Sequence, residues 1–282
     1  MIENRRALDI VAHIVVMIGI ALVALPIWIT FVTSTQPQSE IFKAPVPFWP
    51  GDQLIENYRR VLVRGVEAAG GAPIGAMLLN SLIMALAIAI GKIIISVLSA
   101  FAIVYFRFPL RMLCFWTIFL TLMLPVEVRI LPTYEVVAGL GLLNSYAGLT
   151  IPLIASATAT FLFRQFFLTV PDELTEAARI DGAGPMKFFV DILLPLSRTN
   201  IAALFVILFI YGWNQYLWPL LITTEESMYT VVMGIKRMAE MGDMEPLWHE
   251  VMAVTMLAMI PPVLVVVAMQ RQFVRGLIET EK

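Results

Sequence analysis

Six long apolar stretches constrain this chain more than any other feature of its sequence. They cover approximately residues 11–32, 78–105, 113–130, 146–167, 201–222 and 251–270. A helix needs roughly 20 mainly apolar residues to cross a hydrocarbon core about 30 Å thick. Because 60% of the residues are apolar and only 14% are charged, a soluble globule of this size would lack the polar surface it needs. The sequence therefore predicts an all-α integral membrane protein, with six transmembrane helices in a single domain over residues 1–282.

The distribution of Lys and Arg predicts the orientation of these spans. With the N-terminus inside, the cytoplasmic segments hold more Lys and Arg than the outer ones, as the positive-inside rule requires. We expect both termini and the connection 168–199 in the cytoplasm, and the connections 33–77 and 223–250 outside. The first stretch follows Arg5 and Arg6, but it is about 22 residues long and no small-residue cleavage site follows it, so we interpret it as an uncleaved span.

Charge and reactive side chains exclude several classes of protein. The net charge of −2 gives no basic surplus for a nucleic acid. The single cysteine, Cys114, excludes an intrachain disulfide and a site made of several cysteines. The chain has only two histidines, His13 and His249, no G-x-S-x-G motif, and no pair of acids at membrane depth. We therefore expect no catalytic residues, no metal site and no cofactor in this chain.

The cytoplasmic connection is patterned as two short helices. Pro171 and two acids after it suit the first turn of a helix, and Gly182 suits the position after its end. A second helix begins at Pro185, and we expect Pro195 to break it. One face of the first helix holds Leu174, Ala177, Ala178 and Asp181. Such a helix either docks into a groove of a soluble partner or rests on the membrane surface.

Several runs resemble binding-protein-dependent ABC importers. The cytoplasmic runs Glu176-Ala177-Ala178, Asp181-Gly182-Ala183 and Ile192-Leu193-Leu194-Pro195 are similar to the EAA loop of that family, which is the coupling helix of its permeases. Further similar runs are Leu124-Pro-Val-Glu-Val-Arg-Ile130 and Tyr211-Gly-Trp-Asn-Gln-Tyr-Leu-Trp-Pro219. The resemblance covers nearly the whole chain. It is to the carbohydrate-type permeases, and within them to the second, E-type permeases of sn-glycerol-3-phosphate uptake.

This resemblance implies a fold, a location and partners. It implies the type I ABC importer permease fold in a bacterial inner membrane. The implied partners are a second permease that completes a heterodimer, a homodimeric ABC ATPase that binds ATP and Mg, and an extracytoplasmic solute-binding protein. The implied ATPase-coupling residues are Glu176, Ala177, Ala178, Asp181, Gly182 and Pro195.

The ATP site itself is absent from the sequence. The nearest approach to the phosphate-binding motif G-x-x-x-x-G-K-[ST] is Gly91-Lys92, where Leu86 replaces the first glycine and Ile93 replaces the Ser or Thr. These residues also lie within an apolar stretch. We therefore expect ATP hydrolysis to be carried out by a separate subunit.

Two questions about the solute stay open at this point. The resemblance implies sn-glycerol 3-phosphate or glycerophosphodiesters, and a neutral sugar or oligosaccharide is the alternative within the same family. An alternative of another class is an ion-coupled secondary transporter, which would carry ionisable residues at mid-membrane and an internal repeat. Only Lys92 meets the first condition, and no repeat is evident.

The polar residues near the predicted spans are candidates for a translocation path or gate. They are Lys92, Glu127, Arg129, Asn214 and Gln215. Lys92 either attracts an anionic solute or is a structural lysine that pairs with carbonyl groups or reaches an interface. Arg129 either meets a phosphate or pairs with Glu127. The two amides face another helix or the path.

Overall fold

A computed structural model of the chain describes residues 6–42, 45, 47–64, 71–123, 126–240 and 245–279, with side chains except at 6–8, 64, 121–127 and 271–279. The described residues form helices and no strand, which confirms the all-α prediction. Short 3-10 and π-helical turns join several of them. The α-helices are α1 (Arg6–Ser34), α2 (Gln38–Ile41), α3 (Leu54–Arg59), α4 (Ile74–Tyr105), α5 (Arg111–Met123), α6 (Val126–Gly139), α7 (Tyr146–Thr150), α8 (Ala157–Leu168), α9 (Asp172–Ile180), α10 (Pro185–Phe188), α11 (Leu194–Leu196), α12 (Arg198–Trp213), α13 (Leu217–Ile222), α14 (Val231–Ala239) and α15 (Trp248–Glu279).

Three of these helices, α1, α4 and α15, are long and apolar enough to cross a membrane by themselves. Two bent pairs pass the same test within the described residues. They are Tyr146–Leu153 with Ala157–Leu168, bent by 49°, and Pro185–Leu196 with Arg198–Trp213, bent by 71°. The third apolar stretch falls on α5 and α6, on either side of residues 124 and 125, which lie outside the described residues. Six crossings in a single domain stay a prediction.

Two of the predicted spans contain breaks that have local causes. In the fourth, Pro152 lacks a backbone N–H, and the Ser156 side chain accepts a hydrogen bond from the N–H of Ala159, so α8 begins as a new helix. In the fifth, α12 ends at Trp213 and α13 begins at Leu217. In a continuous helix the ring of Pro219 would clash with the carbonyl group of Gln215, four residues earlier, which favours this break.

The backbone contacts divide the chain into two compact units. One unit comprises Met1–Gly75 and Gly234–Met259, and the other comprises Ala76–Met233 and Ile260–Lys282. In the second unit, a Cβ atom added to Gly212 would lie 2.9 Å from the Cα of Ala85. The backbones of α12 and α4 are therefore in close contact there. The buried core of this unit includes Met84, Ile88, Ile130, Val137, Leu149, Leu153, Trp218 and Ile222.

In the first unit, the predicted outer connection packs against helix ends. The buried amide of Asn57 donates to the carbonyl oxygens of Ser34, at 2.9 Å, and Gln36, at 3.1 Å. Nη1 of Arg60 lies 3.6 Å from Oε1 of Glu250, whose side chain is buried at the start of α15. These contacts fix the described part of this connection to the end of α1 and the start of α15.

Candidate functional site

The patterned connection between α8 and α12 begins with a well-terminated helix. We call residues 171–196 the coupling segment. Helix α9 follows Pro171 and carries two acids in its first turn. At its other end Gly182 has φ +74°, its N–H donates to Arg179 O at 3.0 Å, and the Ala183 N–H donates to Ala178 O at 2.8 Å. This pair of bonds is a Schellman motif, so the prediction that Gly182 terminates the helix is confirmed.

The coupling segment presents most of the predicted coupling residues to the surface. Those exposed are Glu176, Ala177, Asp181, Gly182 and Pro195. Ala178 is only 5% exposed and therefore packs within this chain, where its small side chain helps to seat α9. Ile180 is 86% exposed at the end of α9. Ile180 lies outside the EAA-like runs, so no motif in the sequence marks it.

The second half of the coupling segment agrees with the sequence prediction to within one residue. Helix α10 begins at Pro185, and a π-helical turn at Phe189–Leu193 leads directly into α11. This helical path ends at Leu196, one residue after Pro195, and is bent by 71° from α12. Because proline lacks a backbone N–H and its ring disfavours a continuous helix, the end of the path here agrees with the predicted break at Pro195.

Aromatic side chains join the coupling segment to the ends of α4 and α8. The ring centroid of Phe189 lies 4.7 Å from that of Phe101, and the ring centroid of Phe188 lies 5.2 Å from that of Tyr105. The Tyr105 hydroxyl also donates to Phe167 O at 3.4 Å. We call these five residues the aromatic clasp. Its rings pack at distances typical of stabilising aromatic pairs, so a displacement of the coupling segment is resisted at the end of α4.

The interior of α4 carries a cation beside an aromatic ring. Lys92 is 7% exposed, and its Nζ lies 3.7 Å from the ring centroid of Tyr211 on α12. The half-buried Arg129 of α6 precedes Ile130, which belongs to the core cluster that Tyr211 packs against. The structure thus places two predicted path residues, Lys92 and Arg129, around one core cluster and adds Tyr211, whose contact with Lys92 nothing local in the sequence marks.

The other predicted path residues are placed differently. Gln215 donates from Nε2 to the carbonyl oxygen of Tyr211 at 3.1 Å, next to the cation. Asn214 is exposed and is the C-cap residue that follows Trp213 at the end of α12. The side chain of Glu127 lies outside the described residues, so its pairing with Arg129 stays a prediction.

The match to a protein family includes both the coupling segment and the two cations, Lys92 and Arg129. The family of binding-protein-dependent transport system inner membrane components matches residues 92–279. The chain belongs to this family. It is therefore a multi-pass inner-membrane protein of the transport type, and its apolar helices agree with that location.

Several curated relatives match this permease along its full length. The sn-glycerol-3-phosphate transport system permease proteins UgpE of Agrobacterium fabrum, Salmonella typhi and Brucella melitensis are 62%, 61% and 60% identical to it over 282 residues. Each alignment covers 100% of both chains. The relatives are named as permease proteins of a transport system, which agrees with a transport role for this chain.

A solved structure supports the fold. A chain from the crystal structure of a bacterial ABC transporter involved in the import of the acidic polysaccharide alginate matches with a TM-score of 0.82. The match covers 97% of the permease and 99% of that chain at 21% identity. The permease therefore has the fold of an ABC importer membrane subunit.

Proposed function

We propose that this permease is one of two membrane subunits of an ATP-driven importer that carries sn-glycerol 3-phosphate into the cytoplasm. In this proposal a second permease completes the path, and a homodimeric ABC ATPase docks on the coupling segment. A solute-binding protein delivers the solute at the outer face, and both termini lie in the cytoplasm. The names of the full-length relatives support the solute.

The observation that carries the proposal is the exposed end of α9. Ile180 is a large apolar side chain with 86% exposure beside the exposed Glu176 and Ala177. No other large apolar side chain in the described part of the chain is exposed to this extent. The Schellman motif at Gly182 fixes the direction in which this end points. An ATPase groove that receives α9 would bury Ile180 as an anchor.

The aromatic clasp supplies a route from the ATPase to the membrane. Closure of the ATPase dimer would push on α9 and α10, and the rings of Phe188 and Phe189 would pass this displacement to Phe101 and Tyr105. Because packed interiors deform little, α4 would move as a rigid element. Alternating access follows when the two permease subunits shift between inward-facing and outward-facing arrangements.

The test is reconstitution of the complete importer in proteoliposomes, with the binding protein outside and ATP inside. We expect ATP-dependent uptake of sn-glycerol 3-phosphate that persists when ionophores collapse all ion gradients. Uptake that vanishes with the gradients and does not need ATP would instead indicate an ion-coupled secondary transporter. ATP-dependent uptake of maltose without uptake of sn-glycerol 3-phosphate would indicate a neutral-sugar importer.

A further inference from the structure

The most unusual group in the described part of the chain is the ammonium of Lys92. It lies 18 residues after the start of α4 and 13 before its end, which corresponds to about 27 Å and 20 Å along the helix axis. The nearer end is further away than a lysine side chain extends. Lys92 is 7% exposed, so it does not reach an interface.

The described neighbours of Lys92 offset only part of the cost of burying its charge. Its Nζ lies over the Tyr211 ring at 3.7 Å, a cation–π contact. Within the part of the chain whose side chains are described, neither Lys92 nor Arg129 forms an ion pair with a carboxylate. The second cation therefore adds repulsion where a first is already costly. Such a pair is favourable when an anion lies between or beside the two cations.

The charge of the proposed solute matches this pair. A phosphate monoester carries about −1.5 to −2 charges at pH 7 and presents three acceptor oxygens. A guanidinium binds phosphate oxygens in a bidentate manner, and an ammonium binds them as a point charge. A neutral sugar would leave both cations of the pair without a counter-charge.

The size of the cavity beside Arg129 shows whether a phosphate fits in the described arrangement. The cavity lined by Arg129, Ile130, Thr133, Pro152, Leu153 and Trp218 has a volume of about 30 Å³. That volume has room for about one or two water molecules. The described arrangement therefore has no space for a phosphate beside Arg129, and α6 would have to move against the Pro152–Leu153 turn or against α13 to make that space.

We propose that Lys92 and Arg129, with the Tyr211 ring holding the ammonium in place, bind the phosphate group of the solute as it crosses the membrane. This inference rests on the proposed function, because it assigns the phosphate of that same solute to named residues. It makes the permease, and not the binding protein alone, selective for an anion.

The test compares a charge-keeping with a charge-removing change at each cation. Initial uptake of sn-glycerol 3-phosphate is measured in proteoliposomes with saturating binding protein, for Lys92→Met, Lys92→Arg, Arg129→Gln and Arg129→Lys. Loss of one charge-assisted contact to phosphate predicts at least about tenfold slower uptake for Lys92→Met and Arg129→Gln. Lys92→Arg is expected within about threefold of the wild type, which is a smaller loss than one such contact. Arg129→Lys is expected between the wild type and Arg129→Gln, because an ammonium keeps the charge and loses the bidentate contact. Arg107→Met, which removes a cation from the exposed turn after α4, is the control.

The ranking of the variants by their initial rate of uptake decides between the two roles of Lys92. If Lys92 only fills space, the unbranched apolar Met suits a buried site better than the larger Arg, so Lys92→Met would transport as well as Lys92→Arg and the inference would be overturned. If Lys92→Met fails to assemble with its partners, the comparison of Arg129→Gln with Arg129→Lys decides in the same way. A wild-type importer that does not take up sn-glycerol 3-phosphate would instead contradict the proposed function.

Discussion

The left-handed turn at Gly182 gives the sharpest prediction about coupling. Gly182 has φ +74°, and a Cβ atom added to it meets nothing within 4 Å. Gly182→Ala therefore introduces backbone strain without a steric clash, and a left-handed conformation costs a residue with a Cβ roughly 1–2 kcal/mol. A free-energy change of this size lowers the ratio of correctly terminated to unterminated α9 by about 5- to 30-fold. Uptake per ATP hydrolysed should fall by up to the same factor.

Two variants separate this strain from other effects of the substitution. Gly184→Ala, two residues further along, also meets nothing within 4 Å, and its φ of −71° suits any residue. We expect Gly184→Ala to couple like the wild type. Gly182→Asn should recover most of the loss, because Asn tolerates the left-handed region better than Ala.

The assay is a parallel measurement of ATP hydrolysis and of sn-glycerol 3-phosphate uptake in proteoliposomes that contain the complete importer. The amount of assembled complex is measured for each variant, so that lost coupling is distinguished from lost assembly. If Gly182→Ala and Gly184→Ala give the same ratio of uptake to hydrolysis, the termination of α9 has no part in coupling and the argument is refuted.

Two further substitutions test the packing of α4, one against the coupling segment and one against α12. Phe189→Leu removes an aromatic pair that contributes about 0.5–1.5 kcal/mol, so uptake per ATP hydrolysed should fall severalfold. Its control is Phe209→Leu, at a buried ring pair of α12, which should lower the thermal midpoint and leave uptake per ATP unchanged. Equal uptake per ATP in the two variants would contradict the role of the aromatic clasp. Gly212→Ala places a Cβ 2.9 Å from the Cα of Ala85 and should lower the free energy of unfolding by about 1–3 kcal/mol in a detergent melt. Gly139→Ala, with nothing within 4 Å, should leave the melt unchanged, and an unchanged melt for Gly212→Ala would contradict the close contact of α4 and α12.

The features that depend on neighbouring residues could be predicted from the sequence. The start of α9 after Pro171 and its end at Gly182 follow from local backbone rules, and the structure has both. The all-α class follows from the length and apolarity of the six stretches. The start of α10 at Pro185 is equally local.

The features that depend on distant contacts could not be predicted in this way. Phe189 meets Phe101 across 88 positions, and Lys92 meets Tyr211 across 119. Apolar periodicity reports that such residues are buried, but it does not report their partners. The π-helical turn before Pro195 could not be predicted either, because such a turn has no simple sequence signature.

Docking of an ATPase on the coupling segment is the central claim, and cysteine labelling at Ile180 tests it most directly. Cys114 is the single cysteine of the chain, so Ile180→Cys in a Cys114→Ser background gives one reactive thiol. We predict that a membrane-permeant maleimide labels this thiol in vesicles that contain the two permeases alone and that the assembled ATPase protects it. Leu140→Cys, at a position that is 67% exposed after α6, should be labelled equally with and without the ATPase. Equal labelling of Ile180→Cys in both vesicle types would contradict the claim.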